Sequence, residues 1–117
     1  MKFAIVGSRT FNNYMLLEES ILQKYNLSLI NEIISGGATG ADTLAETFAH
    51  KFNINLIVFK PQWDIYGKKA GCIRNKDIVT NADVVIAFWD GYSKGTKNSI
   101  DIAQNFTHNQ NKLIIHL

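Results

Sequence analysis

At 117 residues, 46% hydrophobic and 11% aromatic with a single proline, the chain has enough apolar surface to fold, so a disordered tail or low-complexity linker is excluded. It has room for one domain only, expected to span residues 1–117. A formal net charge of +2, from twelve Lys+Arg against ten Asp+Glu, is too small for a protein that coats nucleic acid by neutralising phosphates, and argues against nucleic acid as the main partner.

Residues 2–6 (KFAIV) form a short apolar run that lacks the length and flanks of a signal peptide or membrane span, which predicts a cytoplasmic protein with no membrane partner. The run reads as a buried strand ending at Gly7, followed by the loop GSRTF. From about residue 13 the spacing turns helical, with Tyr14, Leu17, Ile21 and Tyr25 on one stripe. A second strand, 32–35, leads into SGGATGAD. Then Ala41, Leu44, Ala45, Phe48, Ala49 and Phe52 recur with helical spacing. Residues 54–59 predict a third strand, and KPQWDIYGKKAG a long polar and aromatic loop before a third helix over about 70–81. A fourth strand over 84–88, the loop WDGYSKG, a fourth helix over 96 to about 107 and a last strand over 113–117 complete the chain.

Strands that alternate with helices imply parallel crossovers, and the fold class is α/β. The expectation is a Rossmann-like, mostly parallel five-stranded sheet with helices on both faces. Ligands of such sheets sit beyond the carboxyl ends of the strands, where the strand order reverses. The loops at those ends, with the start of the third helix, carry Arg9, Lys60, Lys68, Lys69, Arg74, Lys94 and Lys97, seven of the twelve cations. A nearly neutral protein thus acquires one basic rim. Phe11, Trp63, Tyr66, Trp89 and Tyr92 share those loops and offer flat surfaces on which a base can stack.

SGGATGAD sets Gly36, Gly37, Ala38, Thr39 and Gly40 between a strand and a helix, where bare backbone N–H groups and the helix dipole favour a phosphate. The same residues also suit a plain turn followed by a capping box from Thr39 to Asp42. In the fourth loop, Asp90, Gly91, Gly95 and Thr96 repeat the pattern. They read either as a second anion site or as a turn and an N-cap. Arg74, followed by Asn75, suits a bidentate phosphate clamp, or else a solvated helix face paired with Asp77 or Asp64. Cys72 reads as a partly buried filler with no nucleophile partner. With His50, His108 and His116 lacking ligand spacing, no metal site is expected.

Taken together, IVGSRTF, SGGATGADTLAE, WDIYGKKAGCIRN and ADVVIAFWDGYSKGTKNSI resemble the small YpsA-related branch of the SLOG superfamily. That superfamily includes the Lonely Guy phosphoribohydrolases and the DNA-processing protein Smf. The resemblance implies a Rossmann-like domain, often homo-oligomeric, that binds a nucleotide or nucleotide-derived small molecule; no cofactor is expected. Carried over by position, it implies that Gly7, Ser8 and Arg9 line the pocket floor and that Gly36, Gly37 and Gly40 hold phosphate. Arg74 would be the family arginine, and Gly95 with Thr96 a second phosphate grip. The phosphoribohydrolases carry a glutamate three residues after their Gly-Thr; here that position is Ser99, preceded by Asn98. Serine cannot stabilise the positive charge that develops when an N-glycosidic bond breaks. Asp101 lies about 200° further round the helix, which leaves Asp42 or Asp90 as substitutes from other loops. The expected role is therefore sensing or sequestering a signalling nucleotide in bacterial or phage conflict. An N-glycosidase and a single-stranded DNA binder are the alternatives, and catalytic residues are not assigned.

Overall fold

The computed structural model describes residues 1–106 and 111–117. Five parallel strands, β1 (Lys2–Gly7), β2 (Glu32–Ser35), β3 (Asn55–Val58), β4 (Val84–Trp89) and β5 (Asn111–His116), form one sheet in the order β3-β2-β1-β4-β5. The chain winds outward from β1 to β3, then crosses back to β4, so the order reverses between β1 and β4.

The two central strands are apolar on both sides because each is covered twice. Phe3 and Ile5 of β1 and Val84, Ile86 and Phe88 of β4 enter one cluster. Ala4, Val6, Val85 and Ala87 enter the other, as the twofold side-chain period of a strand requires. Helices α1 (Tyr14–Lys24) and α2 (Ala41–Lys51) supply Leu17, Ile21, Ala45 and Phe48 to the first cluster. Helices α4 (Ala70–Thr80) and α5 (Lys94–Phe106) supply Ile78, Val79, Ile100 and Ala103 to the second. The α1 stripe forms as its spacing predicts, with Tyr25 edge-on to Phe3 at 4.9 Å between centroids and Asn13 capping through its side chain.

Two differences from the expected elements have local causes. The long loop after β3 is largely helical. Trp63–Tyr66 makes a single turn, α3, which Gly67 at φ +58° diverts into a 3-10 turn at Gly67–Lys69 that feeds α4. Helix α5 begins at Lys94 rather than Thr96, since Ser93 supplies the oxygen that accepts the Thr96 N–H, at 3.3 Å. Its expected end at Thr107, like His108, lies outside the described residues. The last strand starts earlier than expected, at Asn111, and Cys72 is exposed rather than a partly buried filler. Among the described residues, no helix is long and apolar enough to cross a membrane.

Candidate functional site

Where the strand order reverses, the backbone is packed too closely for side chains at two glycines. A Cβ on Gly7 would lie 2.6 Å from both the Ala41 methyl and the Phe88 carbonyl oxygen, so glycine here lets α2 close onto the sheet. Gly40, at φ +77°, stands immediately before α2, and a Cβ there would collide with the Ser8 and Arg9 carbonyl groups. Between them, buried Ser8 joins four segments. Its N–H donates to Phe88 O at 2.9 Å, and its carbonyl accepts Phe11 N–H and Ala41 N–H, each at 3.2 Å. Its hydroxyl accepts Asp90 N–H at 3.1 Å.

Above this junction lies a crevice of about 250 Å³. Val6, Gly7 and Arg9 line it from β1 and the loop that follows, Ala38 and Asp42 from the second loop and α2. The opposite side is Arg74, Asn75 and Ile78 of α4 with Ser93, Lys94, Gly95, Thr96 and Ser99 at the head of α5. Three cations, Arg9, Arg74 and Lys94, thus border a space whose polar lining includes the buried side chains of Asp42, Asn75, Thr96 and Ser99.

Arg74 is not on a solvated helix face and makes no ion pair with Asp64 or Asp77. Its Nη1 donates to Gly36 O at 2.7 Å and to Phe59 O at 3.4 Å, and its Nε donates to Asn75 Oδ1 at 2.9 Å. The guanidinium is fixed by backbone from two loops far away in sequence. Asn75 in turn donates to Asn98 Oδ1 at 3.0 Å and Gly95 O at 3.4 Å, tying α4 to the first turns of α5.

Asp42 does not close a capping box with Thr39: the N-cap of α2 is Gly40, with no side-chain capping bond. Instead the Asp42 carboxylate reaches back and accepts the Ala38 N–H at 3.1 Å. Burial pushes its pKa up to about 6, against the lowering effects of the Ala38 hydrogen bond and the Arg74 charge. A carboxyl that changes charge near pH 6 therefore faces the same space as three cations.

At the head of α5, Ser93 is the organising residue. Its hydroxyl lies 3.0 Å from Thr96 Oγ1 and its carbonyl accepts Lys97 N–H at 3.1 Å. Thr96 is thus the capped residue rather than the cap. Ser99 lines the crevice at the position discussed above, its hydroxyl donating to Gly95 O at 3.3 Å. Asp90 accepts Tyr92 N–H and Ser93 N–H, both at 2.8 Å, which holds it below the usual carboxylate range. Asp101 pairs with Lys97 at 2.5 Å. Neither lines the crevice, so Asp42 is its carboxylate among the described residues.

Of the residues singled out in the sequence, Gly7, Arg9, Ala38, Asp42, Arg74, Asn75, Gly95 and Thr96 meet at the crevice. Ser8, Gly36 and Gly40 shape it from behind, through the contacts described. Gly37, at φ +74° beside Val58, and Thr39 lie outside it. Trp63 is more than half exposed on α3, while Trp89 and Gly91 line a shallower hollow beside the crevice. Lys68 and Lys69 border neither space. The sequence places Lys94 on the basic rim but singles out neither it nor Ser93 as a lining residue. A serine three residues before Thr96 is a recognisable N-cap signal, and would have moved the start of α5 back to include both.

The profile of the YspA, cpYpsA-related SLOG family matches residues 1–66. The Gene 61 protein of Mycobacterium phage D29 is 33% identical over 107 residues, covering 86% of this chain and 86% of that one. No solved structure matches the chain.

Proposed function

Because the chain belongs to the YspA, cpYpsA-related SLOG family, we propose that its crevice binds the phosphate of a nucleotide or nucleotide-derived signalling molecule, which the protein senses or sequesters. The observation that carries this reading is the convergence of Arg9, Arg74 and Lys94 on one crevice at the reversal point of a parallel sheet. The phage origin of a relative supports a setting in conflict between bacteria and phages. The reading includes a cytoplasmic protein that assembles with itself. Its outer strand β3, with Leu56 and Ile57 exposed, offers one unpaired edge for that assembly.

Arg9 is the cleanest probe, being exposed and outside the core. Arg9→Ala is expected to weaken the binding of ADP by about 1.5–3 kcal/mol in calorimetry, the range for a hydrogen bond to a charged group. Arg74→Ala should do at least as much but also strips a donor from Gly36 O, so its melting temperature is measured alongside. Unchanged affinity in both variants would overturn the reading.

A second reading, an N-glycosidase acting on a nucleoside phosphate, is favoured by one observation: Asp42 brings to the crevice a carboxyl whose pKa of about 6 suits proton transfer near neutrality. The two readings part on the fate of the ligand. If the protein only binds, nucleotide incubated with it for hours and released by denaturation is recovered intact, and this is the expected result. Release of free base over many turnovers, abolished in Asp42→Asn, would establish the enzyme instead.

A further inference from the structure

We propose that the crevice and the two hollows beside it form one three-part site for a two-base ligand, a dinucleotide whose linking phosphates occupy the crevice and whose bases lie against Tyr66 on one side and Trp89 on the other. This rests on reading the crevice as a phosphate site.

The first hollow, about 540 Å³, opens beyond the end of β3. Phe59, Pro61, Tyr66 and Ile73 give it apolar walls, and Gln62 and Asp77 add polar groups of the kind that read the edge of a base. The second, about 440 Å³, opens beyond the end of β4 around Trp89 and Tyr92, with Asn98 and the paired Lys97 and Asp101 among its polar groups. Each combines an aromatic ring with hydrogen-bonding side chains, which is what a planar heteroaromatic ring requires.

Neither hollow is separate from the crevice. Arg74 lines both the crevice and the β3-side hollow, and Ser93 and Lys94 line both the crevice and the β4-side hollow. Arg74 and Lys94 therefore stand at the two junctions, where phosphates that join two nucleosides would pass. Strands β3 and β4 are three places apart in the sheet, a separation of about 14 Å at the usual strand spacing. An extended molecule with two bases covers that distance; a mononucleotide fills the crevice and one side only. Both partitions are built to last. Arg74 is held by the Gly36 and Phe59 carbonyls, and the Trp89 indole N–H donates to Ser93 O at 3.0 Å, so little side-chain freedom remains to be lost on binding.

The test compares ADP with diadenosine diphosphate, which differs chiefly by a second adenosine, in calorimetry on the full chain. Diadenosine diphosphate is expected to bind about tenfold or more tightly, and Tyr66→Ala and Trp89→Ala should each bring it to the level of ADP. ADP itself, with one base, should respond to only one of those substitutions. Tyr66 is 45% exposed and Tyr92 88% exposed, so Tyr66→Ala and Tyr92→Ala keep the question answerable if Trp89→Ala fails to fold. In Trp63→Phe, Trp89 is the chain's sole tryptophan, and its fluorescence should respond to diadenosine diphosphate. Equal affinities for the two nucleotides, or a tight diadenosine complex indifferent to Tyr66 and Trp89, would overturn the two-base site. If ADP still binds through Arg9 in that event, the phosphate reading stands. If neither nucleotide binds, both fall.

Discussion

Gly40→Ala is expected to lower the unfolding free energy by about 3 kcal/mol or more. Two costs combine. The residue sits at φ +77° and ψ −126°, a region that side chains disfavour, and the new methyl would run into the carbonyl groups of Ser8 and Arg9. Gly91→Ala separates the two costs. It has φ +86° with nothing within 4 Å of the added atom, so it should cost only about 1–2 kcal/mol. Denaturant titration of both variants checks the difference. Equal losses would mean that the junction of β1 and α2 yields to the methyl, against the tight packing described.

The second large effect is on the pH dependence of stability. Asp42 holds its proton to about pH 6 when folded, against 3.8 as the ordinary value. Between those pH values the native state binds more protons than the unfolded one. Stability from this group is therefore complete below about pH 4, falls as pH rises and is gone above about pH 6. The interval corresponds to about 3 kcal/mol, and with the residue only 7% exposed, solvent screening takes little from it. Asp42→Asn keeps an acceptor for the Ala38 N–H and removes the titration. The expected result is a variant that lacks this decline between pH 4 and 6 and gains on the native protein above it. Asp90 and Glu18, whose pKa values are lowered by their hydrogen bonds, contribute with the opposite sign and are common to both proteins, so the difference isolates Asp42. Parallel stability profiles across that range would refute the assignment.

Legibility in the sequence followed how local the governing interactions are. Strands β1 and β4 and helix α2 could be read because burial on two faces, or on one stripe, writes its period directly into the chain. Their glycines mark the site loops in the sequence, but not which of those residues border the crevice. Gly37 and Thr39 sit in the same run as Ala38 and Asp42 but outside the cavity. Arg74 was harder still. Its partners Gly36 and Phe59 lie 38 and 15 residues away, and no spacing rule connects them. Helix α3 left no periodic signal, because a single turn of four residues is too short to show one. The start of α5 was obscured by Gly95, a residue that marks loops more often than first turns.

The four hydrogen bonds of Ser8 also have a consequence for motion. They couple β1, β4, the start of α2 and the turn at Asp90, so the loops that enclose the crevice cannot open one at a time. The amide hydrogens of Ala41 and Asp90 then exchange with solvent only in openings that release the whole junction, and should be among the slowest outside the strands. A ligand bound in the crevice as proposed would meet a receptor that is already ordered. Little binding free energy would then be lost to arranging the chain, and differences among ligands are expected in how long each one stays.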